Sequence, residues 1–105
     1  MMDRSHELFV RFVDQMASGR FYEAHESMER LWALCGYEPA SPYRGLTQLA
    51  VALAHLEKEN FEGAQSVLAK ARKILSENEA DFKSAVEEVQ RRIDRRVISD
   101  AGINL

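Results

Sequence analysis

The segment FYEAHESMERLW, residues 21–32, places His25, Glu26 and Glu29 within five positions of one another. An imidazole beside two carboxylates suits three kinds of chemistry. It can ligate a divalent transition metal, it can run acid–base chemistry with the carboxylate orienting the ring, or it can form a polar link that fixes helix register. On a helical wheel at about 100° per residue, Phe21, Ala24, Met28, Leu31 and Cys35 form the apolar stripe. His25, Glu29 and Trp32 lie together on its flank, and Glu26 lies farther toward solvent. His25 and Glu29 can therefore touch as an i,i+4 pair, with Trp32 one turn on.

A second row of polar residues can meet the first. Between Pro42 and Glu59 the apolar positions Leu46, Leu49, Leu53 and Leu56 mark a helix. Gln48, Val51 and His55 form a separate row along it, with Arg44 one turn before Gln48. If the two rows face each other, His25, Glu29, Trp32, Arg44, Gln48 and His55 form one polar cluster. His25, Glu26, Glu29 and His55 are then the candidate metal ligands. The order His-Glu-x-x-Glu is neither the Glu-x-x-His of helical-bundle carboxylate sites nor the His-Glu-x-x-His of zinc proteases. The readings left open are a structural polar network, a divalent-metal site and a metal-free ligand or acid–base site.

These residues need a helical frame, and the chain supplies one. Helical periodicity recurs throughout, and no β-branched alternation stands out. The spacing predicts five helices, over about 4–17, 21–35, 43–59, 61–75 and 80–98. Ser18-Gly19 ends the first, Gly36 stops the second, and the proline loop GYEPASP (36–42) separates front from back. Leu8, Phe9, Phe12, Val13 and Met16 are expected on the inner face of the first helix. Phe61, Ala64, Val67, Leu68, Ala71 and Leu75 play that part in the fourth, and Phe82, Val86, Val89, Ile93 and Val97 in the fifth. The polar break SENE precedes the fifth helix, and the tail SDAGINL is expected to fray. A forty-residue offset takes Phe21 onto Phe61, Ala24 onto Ala64, Met28 onto Leu68, Phe9 onto Leu49 and Val13 onto Leu53. The expected architecture is an all-α five-helix bundle: two helix hairpins, helical-repeat-like, closed by a C-terminal capping helix. A single domain over 1–105, with its core in about 4–98, suits this length.

Composition narrows the classes. Hydrophobic residues make up 46% and charged residues 30%, a globular balance. The net charge of −3 gives no basic footprint for nucleic acid, and RRIDRR (91–96) reads as a solvated helix face. Cys35 is the only cysteine, so no intrachain disulfide can form, and its apolar setting LWALC reads as a small core residue. The start MMDRSHELFV is too polar for a signal peptide, and LAVALA is too short for a membrane span. The expectation is a cytoplasmic protein without membrane or nucleic-acid partners.

The assembled pattern resembles a bacterial and archaeal family, the domain of unknown function numbered three hundred and nine. The residues that carry the likeness are Tyr22, His25, Glu26, Glu29 and Trp32, then Gly45, Leu46, Gln48 and His55, then Asn60, Gly63 and Ala64. It covers about residues 8–75, with Thr47 where an aliphatic residue is usual. The resemblance implies an all-α bundle of about five helices and adds weight to Glu26 and Arg44. It implies no reaction. The functional expectation is a non-enzymatic module that binds a protein partner or self-associates, with Tyr22, Tyr37 and Tyr43 as exposed contacts. The alternative is a metal-binding protein or metal-dependent hydrolase built on His25, Glu26, Glu29 and His55.

Overall fold

The computed structural model describes residues 4–76, 82–100 and 102. Five helices account for nearly all of them: α1 (Arg4–Ala17), α2 (Phe21–Leu34), α3 (Pro42–Glu57), α4 (Phe61–Ser76) and α5 (Lys83–Asp100). There is no strand among the described residues. No helix among them is long and apolar enough to cross a membrane. The expected all-α bundle of two hairpins and a capping helix is the architecture observed.

Three helices end in the same way, and two of these ends, at Arg20 and Asn60, are separated by the forty-residue repeat. The amide of Arg20 bonds the Gln15 carbonyl at 2.8 Å, that of Tyr37 the Trp32 carbonyl at 3.1 Å, and that of Asn60 the His55 carbonyl at 2.9 Å. Each is the long bond of a Schellman turn, which needs a left-handed residue just past the cap. Gly19 (φ 76°) and Gly36 (φ 73°) supply it after α1 and α2. After α3 the same place is held by Glu59 at φ 59°, a conformation that costs a side-chain-bearing residue about 1 kcal/mol or more. The loop before α3 closes differently. Ser41 caps the helix by accepting a 3.1 Å bond from the Tyr43 amide, and Pro42 occupies the first helical position, where a missing N–H costs nothing.

Neighbours in sequence pack as neighbours in space. α1 lies on α2, α2 on α3, α3 on α4, and α5 closes over α3 and α4. The core runs through Leu8, Phe12, Ala24, Met28, Leu31, Leu49, Leu53, Leu68 and Ile93. Small residues set the closest approach. A Cβ at Gly45 would sit 2.6 Å from Leu75, so α3 and α4 touch there only because position 45 is glycine. Gln15 and Ser27, both buried, link α1 to α2 side chain to side chain at 2.7 Å. On the outer face of α5, Arg91 and then Arg92 hydrogen-bond Glu88 and hold its carboxyl below the ordinary carboxylate range.

Several expectations need correction. Phe9 and Val13 face solvent, because α1 is an edge helix that, among the described residues, packs chiefly on α2. Val97 is likewise exposed. Cys35 is exposed: α2 ends at Leu34, and the chain peels into the Schellman turn before position 35 can follow the apolar stripe. Tyr43 is half-buried, whereas Tyr22 and Tyr37 are exposed as expected. Helix α5 continues through Ser99 and Asp100, where fraying was expected. The start of that helix and most of SENE fall outside the described residues.

Candidate functional site

α2 and α3 run antiparallel, with their polar rows facing. At one end Trp32 of α2 meets Arg44 of α3; at the other His25 lies beside Val51 and His55. The candidate residues therefore do share one seam. They do not form one cluster, because the two ends of the seam have different chemistry.

The Trp32 end holds the proline loop. The indole Nε1 donates to the Glu38 carbonyl at 2.8 Å, and Tyr37 stacks edge-on at 5.0 Å. The Arg44 guanidinium lies 5.9 Å from the Trp32 ring centre and donates to the Pro39 carbonyl at 3.1 Å. Trp32 and Arg44 thus satisfy loop carbonyls and fix its path, a cation–π contact included. Gln48, midway along α3, carries a buried Oε1 with no hydrogen-bond partner. Thr47 beside it is satisfied, its hydroxyl donating to the Tyr43 carbonyl at 2.8 Å.

The His25 end is a shallow cleft of about 220 Å³, lined by Tyr22, His25, Val51, Ala54, His55 and Lys58. Each of its two imidazoles has one edge engaged. His25 Nε2 is 3.2 Å from Glu29 Oε2, with the two side chains 26% and 46% exposed. Tyr22 packs against the same ring, tilted by 52° at 5.8 Å.

His55 is held by a different partner. Its Nδ1 is 3.1 Å from Asn60 Nδ2. The orientation of that amide is fixed independently, because Asn60 Oδ1 caps α4 by accepting from the Gly63 amide at 3.0 Å. The nitrogen of Asn60 therefore faces His55 as a donor, Nδ1 must accept, and the neutral ring carries its hydrogen on Nε2. Gly63 makes the arrangement possible: a Cβ there would fall on Asn60 Nδ2 and within 2.8 Å of its Cγ. The residues that line the cleft thus include two imidazoles, of which the neutral His55 ring carries its hydrogen on Nε2, together with the Lys58 ammonium and the apolar Val51 and Ala54.

Glu26 is exposed, on the surface side of α2. Among the described residues no three His, Cys, Asp or Glu side chains group closely enough to hold a metal ion. Ala54, Lys58 and the orienting role of Asn60 were missed by the wheel. The signal for Asn60 was present: an Asn immediately before an apolar-periodic segment is a helix-capping signature.

No curated protein and no solved structure matches this chain. A family model described as a domain of unknown function, DUF309, matches residues 9–67, which span α1 to the middle of α4 and include both walls of the cleft. As this is more than half of the sequence, the chain belongs to the DUF309 family.

Proposed function

We propose that this chain is a non-enzymatic binding module that holds a small organic anion in the α2–α3 cleft. The observation that carries the reading is the placing of His55 beside Lys58 in one cleft: Asn60 leaves His55 Nε2–H as a donor, and Lys58 adds an ammonium. A matching ligand has one group that accepts from His55, and a second polar group can meet the His25 imidazole. The ammonium of Lys58 beside the donor edge favours a carboxylate there, and the volume favours a short carbon chain over Val51 and Ala54. A short-chain hydroxy acid meets these demands, with its carboxylate toward His55 and Lys58 and its hydroxyl toward the His25 ring.

The divalent-metal reading requires a different protonation pattern. For His55 to ligate through Nε2, its hydrogen must move to Nδ1, where it would oppose the amide hydrogens of Asn60. Turning that amide over would place its nitrogen against the Gly63 N–H and lose the α4 cap.

The test is an amide-resolved NMR titration of the full chain with 3-hydroxybutyrate, using butyrate and inorganic phosphate as comparators. Shifts centred on Tyr22, His25, Val51, Ala54, His55 and Lys58 are expected. Binding should be about tenfold weaker for butyrate, which has no hydroxyl to bond the His25 ring. Shifts scattered over the surface, or none at the cleft at about 50 mM ligand, would overturn the reading.

A further inference from the structure

The basic run RRIDRR, residues 91–96 of α5, is not spread evenly round its helix. Arg92, Arg95 and Arg96 line one groove, whereas Asp94 lies in another, beside Glu62 of α4. The arginine groove holds about 360 Å³, where the start of α2 and the last turns of α3 meet α5. Phe21, Leu53 and Leu56 form its apolar floor, and Glu57 is the one carboxylate on its wall. It is separate from the His25–His55 cleft. Leu53, Leu56 and Glu57 lie on one side of α3, and Val51, Ala54, His55 and Lys58 on the other.

The three guanidiniums are only partly engaged within the chain. Arg95 makes no ion pair or hydrogen bond among the described residues. Arg96 stands 3.8 Å from Glu59 in a loose, exposed pair. Arg92 reaches Glu88 at 3.3 Å but shares that carboxylate with Arg91. Exposed pairs of this kind contribute little, and each guanidinium keeps further N–H donors.

Guanidiniums over an apolar floor match an anion that carries an apolar side group. The groove is open, so a small molecule would stay largely wet in it, whereas a side chain projecting from a larger surface would be covered from outside as well. The floor is recessed, with Phe21, Leu53 and Leu56 exposed by only 8%, 2% and 5%, so it cannot insert into a bilayer. We propose that this groove docks an acidic segment of a partner protein. One apolar side chain sits on Phe21, Leu53 and Leu56, between carboxylates that pair with Arg92, Arg95 and Arg96.

The test is an amide-resolved NMR titration of the full chain with the capped peptide Glu-Glu-Leu-Glu-Glu. Glu-Glu-Ser-Glu-Glu and Lys-Lys-Leu-Lys-Lys serve as comparators. Saturable shifts centred on Leu53, Leu56, Arg92 and Arg96 are expected, with a Kd of about 0.1–3 mM at low salt that rises with ionic strength. The serine peptide should bind at least about fivefold more weakly, and the lysine peptide should leave the groove unshifted. Arg95→Glu should weaken binding at least about tenfold, with circular dichroism verifying the fold. Lys70→Glu makes the same charge change on α4 and should stay within about twofold of wild type. Equal losses in the two variants, equal binding of the leucine and serine peptides, shifts centred on the His25–His55 cleft, or no shifts at about 10 mM peptide would each overturn the proposal. So would a chain that ignores the peptide and sediments with phosphatidylserine vesicles, which would assign the arginines to a membrane surface.

Discussion

The Asn60–Gly63 pair offers a sharp quantitative test of the cleft geometry. Asn60 Oδ1 caps α4 through the Gly63 amide at 3.0 Å, and Nδ2 reaches His55 at 3.1 Å. Loss of a side-chain cap costs about 1 kcal/mol, and an exposed hydrogen bond adds up to about 0.5 kcal/mol. Asn60→Ala should therefore destabilise the chain by about 1–1.5 kcal/mol. In urea, with a slope of about 1–1.5 kcal/mol/M for a protein of this size, the midpoint falls by roughly 1 M. Asn60→Asp keeps the cap and should stay within about 0.5 kcal/mol of wild type. The decisive variant is Gly63→Ala. In the wild-type background its Cβ collides with the capping side chain, so stability should fall by about 1 kcal/mol or more. With Asn60→Ala already in place the collision is gone, and the better helix propensity of Ala should raise stability by about 0.5–1 kcal/mol. The sign of the Gly63→Ala effect thus reverses between backgrounds. Urea denaturation of the four proteins measures this coupling directly, and purely additive effects would refute the proposed contact.

Four further outcomes follow from the packing. Glu59→Gly relieves the left-handed strain after α3 and should stabilise by up to about 1 kcal/mol, offset partly by loss of the exposed 3.8 Å ion pair with Arg96; thermal melting reads the net gain. Gly45→Ala drives a methyl into Leu75 and should cost about 1–3 kcal/mol by denaturant titration. Gln48→Met removes a buried acceptor that lacks a partner and should be neutral or stabilising by about 1 kcal/mol, whereas a loss of that size would mean that Gln48 is satisfied. His25→Ala breaks a half-exposed i,i+4 pair and should cost only about 0.5 kcal/mol, so any larger effect on ligand binding separates function from stability.

Much of the fold was legible because its determinants are local. Leu8 and Phe12, Ala24, Met28 and Leu31, and Val86, Val89 and Ile93 follow helical spacing and are buried as that spacing requires. Gly19 and Gly36 stop their helices where expected. What periodicity could not show was which apolar stripe has a neighbour. Phe9 and Leu49 look alike in sequence, yet only α3 is enclosed. The Cys35 error has the same origin, since a wheel assumes a helix that has already ended. In the candidate site, the seam of facing polar residues was readable from two wheels. Its division into a loop clamp at Trp32 and Arg44 and a cleft at His25 and His55 was not, because carbonyls of the proline loop and the Asn60 cap decide it. Buried Gln15 and Ser27 were passed over because their pairing is visible only once α1 and α2 are laid together.

The most direct test of the central claim is a long-range proton–nitrogen spectrum of the imidazole rings at pH about 9, where free imidazole is neutral. It should be recorded before and after addition of 3-hydroxybutyrate. The account requires hydrogen on Nε2 of His55 in the free protein. On ligand addition it requires shifts at the His25 ring nitrogens and at His55 Nε2, with His55 Nδ1 still accepting from Asn60. A His55 ring with its hydrogen on Nδ1, or two rings whose nitrogens do not respond to the ligand, would contradict it.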